Sequence, residues 1–443
     1  MRSFSRALPM RAALVAGVAA AAFAGISSVS NAKTAHPAAG TTVDFYSSLP
    51  LQGGSSADTL PIVQAIKLAL SQAGNKSGSF GIKYTSLDDS IASTGNWDPT
   101  KTGANAKEAA GDSKAVYYIG EFNSGASEVS LPILNTAGIA QDSPSNTYVG
   151  LTVNSTTLIK DKATLPGEPK QYYPSGKKTY FRVVPIDTIQ AAADLLAFKE
   201  KGCTKLGVIN DEGAYGEGIG ALLQIESADY GIKVVYNQPV NPTTTTNYSS
   251  IASAIQAAGA QCFEDASSTY GQGTASAKAV NAVLPHAWIL GPDGLCDDSW
   301  TQNTKGGLAV PAALLPHLLC TQAALSLDSY PGGKAFAKAF IKAYGKADKI
   351  STAAEITPYS IYGYAAAQVG LQALAKVSTG GNTRAKFVAA MHATSFKTVV
   401  GNFKFSATGD LSSTAYGLYT FNSKGGLVFD KTLSPTKYLH LAA

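Results

Sequence analysis

The chain is poor in charge. Lys, Arg, Asp and Glu make up 15% of its 443 residues, and 35 bases against 30 acids leave a net charge of +5. No run of Lys and Arg interleaves with aromatic residues, which argues against a nucleic-acid partner. Histidine is also scarce: the five are scattered. His286, His317, His392 and His440 all fall away from the predicted strand ends, so neither a metal cluster nor a His-assisted nucleophile is expected. There is no Gly-x-Ser-x-Gly elbow, no Lys-bearing phosphate loop and no His-Glu-x-x-His. Cys-x-x-Cys is absent as well. These absences point away from an enzyme and from any bound cofactor. Beyond Ile26 no stretch is long and apolar enough to span a bilayer.

What is present begins with a leader. Arg2, Arg6 and Arg11 precede an Ala-rich apolar run from Ala12 to Ile26, and Ser30-Asn31-Ala32 places small residues at −3 and −1. The run falls short of the ~20 residues of a membrane span. Residues 1–32 therefore read as a signal peptide rather than an anchor. No cysteine follows the run, so lipid attachment is not expected, and the mature chain reads as exported, to a periplasm or the cell exterior. Four cysteines suit such an oxidising compartment.

The remaining chain, with 45% apolar residues overall, is long enough for two or three domains. Short apolar runs alternate with helical patterns. Strands are expected at Thr42 to Tyr46, Gly81 to Tyr84, Ala115 to Ile119 and Ile139-Ala140. Between them lie helices at Thr59 to Ala73, Ala104 to Ala110 and Ser127 to Ala137. The polar, Pro-bearing stretch Asn154 to Lys178 reads as a surface excursion. The alternation then restarts with a helix capped by Asp187 or Thr188 and ending at Gly202. Strands follow at Leu206 to Ile209, Ile232 to Tyr236, Cys262 to Glu264 and Trp288 to Leu290. Three helices after Cys320 lead to a β-rich tail that includes Phe403 to Phe405, Ala415 to Phe421 and Leu427 to Phe429. Such alternation predicts doubly wound parallel sheets, α/β in class.

In such sheets ligands bind beyond the carboxyl ends of strands. Ser124 and Thr147 each follow a buried strand, so two hydroxyls and helix-start N–H groups converge on one crevice suited to a small anion. Both can also serve simply as helix caps, and Asp293, between Pro292 and Gly294, can be a plain turn acid. Of the three cysteine pairings, Cys203–Cys262 joins the starts of two strands expected to be neighbours and leaves Cys296–Cys320. Free buried thiols are the alternative.

Several ordered pieces go further: Gly120-x-x-x-Ser124, Ser143-Pro144-x-x-Thr147, Asp211-x-x-x-Tyr215-Gly216-x-Gly218 and Gly291-Pro292-Asp293-Gly294. Tyr330 to Phe336 and Phe405-x-x-x-Gly409-Asp410-Leu411 complete the series. In order and spacing they resemble the leucine/isoleucine/valine-binding type of ABC-transporter substrate-binding protein, of the type I periplasmic binding protein family. The resemblance runs from about Thr41 to the end. It implies two three-layer αβα lobes joined by three crossovers, here near Pro185, Pro316 and Ala415. Residues 41–184 plus 317–414 would form one lobe, and 185–316 plus 415–443 the other. The implied function is capture of an amino acid, branched-chain or related, or a similar small molecule. A monomer closes by hinge motion and delivers the ligand to a membrane permease; the alternative is a ligand sensor presenting its closed form to a receptor. The resemblance places Ser124 on the ligand carboxylate and Thr147 on carboxylate and ammonium. Ser145, with its neighbour Asn146, contacts the amine, Tyr215 covers the ligand and Asp293 pairs with the ammonium. Two aromatics of the leucine binder are replaced, by Gly54 and by Ser267 or Ser268, which implies a wider or more polar side-chain pocket. Tyr359 is a candidate to restore part of the lost surface.

Overall fold

The computed structural model describes residues 41–91, 95–154, 167–303 and 307–440. The expected signal peptide lies outside them. Among the described residues no helix is long and apolar enough to cross a membrane.

Two sheets organise the chain. The first runs in the order Lys76–Ser77, Phe80–Asp88, Thr41–Leu49, Ala115–Ile119, Ala140–Ser143 and Tyr180–Arg182. It is parallel except for the two-residue first strand. Every side chain of Ala115–Ile119 is buried, as expected when helices cover both faces of a parallel sheet. The second sheet runs Lys233–Pro239, Lys205–Asn210, Cys262–Ala266, Trp288–Gly291, Leu318–Gln322, Tyr416–Phe421 and Leu427–Leu433. Its first five strands are parallel, and the last two are antiparallel, with Leu427–Leu433 at the edge. Helices Ser56–Gln72 and Ser360–Leu374 pack on each other over the first sheet, so the returning segment rejoins the first lobe. The result is two αβα lobes with three passages between them.

Three expectations change. Leu318–Gln322 belongs to the second sheet, so the second passage falls beyond Gln322 and not near Pro316. The excursion is not wholly superficial: Tyr172 and Tyr173 are buried. The Tyr172 hydroxyl donates to Glu168 at 2.5 Å, and that of Tyr173 to the Leu151 carbonyl at 2.7 Å. Phe403 ends a separate hairpin, Phe396–Thr398 with Gly401–Phe403, and does not join the tail strands.

Cys203 and Cys262 approach with Cα atoms 6.1 Å apart, and Cys296 and Cys320 with 5.2 Å, both within disulfide reach. The first pair joins adjacent strands, as the neighbour argument required. The second ties the loop after Trp288–Gly291 to the next strand.

At the first passage stands Arg182, the only buried base among the described residues. Its Nε donates to Asp410 Oδ1 at 2.7 Å. Nη1 reaches the Tyr148 carbonyl at 2.9 Å and the Asn146 carbonyl at 3.3 Å, and Nη2 the Thr152 hydroxyl at 2.6 Å. Gly409 makes the approach possible. Its φ of +94° is a region glycine tolerates, and a Cβ there would stand 2.0 Å from the Tyr180 carbonyl oxygen.

Replacing Arg182 with Met should cost about 3–5 kcal/mol in chemical denaturation, because Asp410 is left buried and unpaired; a loss under about 1 kcal/mol would show that the pair carries no stability. Each disulfide should contribute about 3–4.5 kcal/mol. Reduction should therefore lower the denaturation midpoint, and an unchanged midpoint would mean the thiols are not bridged.

Candidate functional site

Between the lobes lies a cavity of about 80 Å³. Five helices begin at it, Ser56–Gln72 through its N-cap Ser55 and four more: Ser124–Ala137, Ala214–Glu226, Tyr270–Val283 and Ser360–Leu374. None has a side-chain cap at its N-cap residue, Ser55, Asn123, Gly213, Thr269 or Tyr359 respectively. Backbone carbonyls take some first-turn N–H groups, that of Ser360 by Thr357 at 3.0 Å and that of Ala126 by Asn123 at 3.1 Å, and the helix dipoles direct positive potential into the space. Among the described residues no Lys, Arg or His lines the cavity. Anion binding there must rest on backbone N–H groups and hydroxyls.

Most of the expected site residues meet here: Ser124, Ser145, Thr147, Tyr215 and Asp293 all line the cavity. Ser124 is the first residue of its helix and does not cap it. Its Oγ instead accepts from the Tyr148 N–H at 3.3 Å. The Ser145 hydroxyl donates to the Phe122 carbonyl at 2.8 Å, fixing the loop that carries Thr147 against the loop that carries Ser124. Asn146 does not line the cavity. Its Nδ2 donates to the same Phe122 carbonyl at 2.8 Å, and its Oδ1 accepts from Tyr180 at 3.0 Å and from Ser127. It braces the two loops from within the first lobe.

Ser267 is also absent from the lining and is fully buried at the end of Cys262–Ala266. Its neighbour Ser268 takes the place, donating its N–H to Asp211 Oδ2 at 2.9 Å. Asp187 does not cap its helix, whose N-cap is Ile186. It is buried behind Thr147, and burial and the nearby Asp293 push its carboxyl well above the usual range, against the Thr147 hydrogen bond.

Asp293 is the cavity's acidic centre. Tyr215 donates to its Oδ1 from the second lobe, and Tyr359 donates to its Oδ2 at 2.5 Å from the first. Burial pushes its carboxyl up, while the phenol hydrogen bonds hold it down. The role of Tyr359 is therefore larger than replacing lost aromatic surface: it bridges the lobes. Trp97, Phe122 and Tyr270 also line the cavity and were not singled out in the sequence. Phe122 stands inside the quoted Gly120–Ser124 piece and stacks edge-on with Tyr359 at 6.2 Å. Trp97 comes from a two-residue hairpin strand, Asn96–Trp97, which carries no periodic signal.

A cleft between two α/β lobes, with anion-seeking helix starts and two carboxylates, Asp211 and Asp293, defines a two-lobed small-molecule binding protein. Comparison with known proteins agrees. A profile described as periplasmic binding protein matches residues 48–426, and the chain belongs to that family, which binds solutes and is not enzymatic. A Leu/Ile/Val-binding protein of Rhizobium johnstonii is 24% identical over 281 residues, 62% of this chain and 68% of its own. A leucine-, isoleucine-, valine-, threonine- and alanine-binding protein of Pseudomonas aeruginosa is 25% identical over 277 residues, 60% and 68% respectively. Among solved structures, a leucine binding protein of Thermotoga maritima superposes with a TM-score of 0.69 at 21% identity, covering 89% of this chain and 99% of that one. An R. palustris solute binding protein in complex with benzoate gives 0.66 at 20% identity, covering 90% and 98%. The fold is type I periplasmic binding protein, and the resemblance to the leucine/isoleucine/valine-binding type stands.

Among the described residues twelve buried Asp and Glu stand against Arg182, so most of these acids have no buried base beside them. Burial pushes Asp142 and Glu226 to about 8, Asp89 and Glu128 to about 7, and Asp265 to about 6. Folded-state values above the unfolded ones, near 4, mean that the native state holds more protons. Their stabilisation is complete below about pH 4 and is lost as pH rises through 6 to 8. The melting temperature should thus be higher at pH 5 than at pH 8; a rise in the opposite direction would show these acids ionised and compensated.

Proposed function

We propose that this protein is the extracytoplasmic solute-binding component of an ABC importer. It captures an α-amino acid between its lobes and hands it to a membrane permease. The observation that carries this reading is the pairing of opposite preferences in one cavity. Uncapped helix starts and the Ser124 and Thr147 hydroxyls suit a carboxylate. Asp293, with no base beside it, suits an ammonium. A zwitterion satisfies both, and a simple aromatic acid leaves Asp293 unmatched. Ser124, Ser145 and Thr147 would hold the main-chain end of the ligand from the first lobe. Tyr215 and Asp293 would close on it from the second. Because the ligand touches both lobes only in the closed form, it shifts the opening equilibrium toward closure.

Titration calorimetry against a panel of amino acids, amides and aromatic acids tests the reading. Binding confined to α-amino acids supports it, and binding only of compounds without an ammonium would overturn it. Asp293→Asn should weaken amino-acid binding by about 2–5 kcal/mol, the usual loss when one partner of a buried charge pair is removed. Affinity for the native protein should also fall as pH drops through the Asp293 pKa, which burial raises above the ordinary carboxylate range, because a proton then competes with the ammonium.

A further inference from the structure

The departure at Gly54 predicts a wide side-chain pocket, yet the structure fills that space. Tyr270, the first residue of its helix in the second lobe, lays its ring against Gly54 of the first lobe: a Cβ on Gly54 would stand 3.2 Å from the ring. The ring is fastened across the cleft, for its hydroxyl donates to Asp58 Oδ2 at 3.1 Å. Asp58 is 4% exposed, and its other oxygen has no hydrogen-bond partner. On another wall Trp97 covers the first turn of the Ser124 helix, where a Cβ on Gly125 would lie 2.8 Å from its ring. The glycine that seems to open the pocket is thus the seat of one ring, and Gly125 seats a second.

What remains is about 80 Å³, roughly half of the ~150 Å³ that takes up a benzene molecule. The amino, carboxyl and α-carbon atoms of an amino acid must share that space with its side chain. We propose that Tyr270, positioned by Asp58, sets the size limit of the ligand and restricts the site to α-amino acids with small side chains, of the glycine, alanine and serine class. This rests on the α-amino-acid reading above. Tyr270 acts by touching the side-chain end of the ligand, and Asp58 acts only through Tyr270.

Calorimetry of the full chain with glycine, alanine, serine, leucine and phenylalanine provides the test. The native protein should bind alanine about 100-fold or more tighter than leucine, within the range a few misplaced methylenes produce. Tyr270→Ala should cut that ratio at least about tenfold, through a gain for leucine. Tyr270→Phe and Asp58→Ala each remove the cross-cleft hydrogen bond and keep a ring in place. Each should relax the ratio by about two- to tenfold, and together by no more than either alone, which a merely structural role for Asp58 would not produce. If Tyr270→Ala does not fold, this pair reads the same ratio. Equal affinity of the native protein for alanine and leucine would overturn the size limit and leave the amino-acid reading intact. A uniform weakening of all ligands by Tyr270→Ala would also overturn it, since the ring would then be a general cover. Binding of no α-amino acid by any of the proteins would overturn both.

Discussion

The architecture of the site depends on the Arg182 guanidinium. It is a fixed fork of donors that stays charged, and it sits where the chain first leaves the first lobe. Through Asn146 and Tyr148 it holds the segment bearing Thr147, through Thr152 the turn that follows, and through Asp410 the turn that precedes the third passage. One buried charge thus ties the ligand loop to two of the chain's passages between lobes. A lysine could not satisfy this set of partners, because the geometry needs several donors in one plane. The Asp410 of the tail motif is thereby explained as a structural partner rather than a ligand contact.

Around that anchor the interior is unusually acidic. Carboxyl groups without cations are tolerable in a low-dielectric interior only if they keep protons or accept hydrogen bonds. Asp211 lines the cavity, and so does Asp293. Two phenols, one from each lobe, hydrogen-bond to it, so the same group that can meet a ligand cation also joins the lobes. The Tyr270–Asp58 bond makes a second link of the same kind. Hydrogen bonds from Tyr359 to Asp293 and from Tyr270 to Asp58 thus join the two lobes across the cleft.

Much of this was legible in the sequence. Ser124, Ser145, Thr147, Tyr215 and Asp293 all lie in the loops or helix starts that follow buried strands, and strand ends of a parallel sheet converge by topology. The disulfide between Cys203 and Cys262 was legible for the same reason: it joins strands whose adjacency follows from the winding. The misplaced residues fail for local reasons. Asn146 and Ser267 occupy the right loops, but single-residue alternation turns their side chains inward, and Ser268 faces the cavity instead. Leu318–Gln322 was assigned to the wrong lobe because a strand of five residues beside a proline carries no mark of which sheet it extends.

The linear chain by itself determined the class of fold, the alternation that builds two lobes and the positions of the loops that line the cleft. These follow from hydrophobic periodicity and turn chemistry, which are local. Only the tertiary structure decided what fills the space those loops enclose. Trp97 and Tyr270 are far from Gly125 and Gly54 in the chain, and a glycine read alone looks like a void. Whether it is a void or a seat for a ring is settled by packing between segments that the folded chain brings together, and no pattern along the sequence encodes that distance.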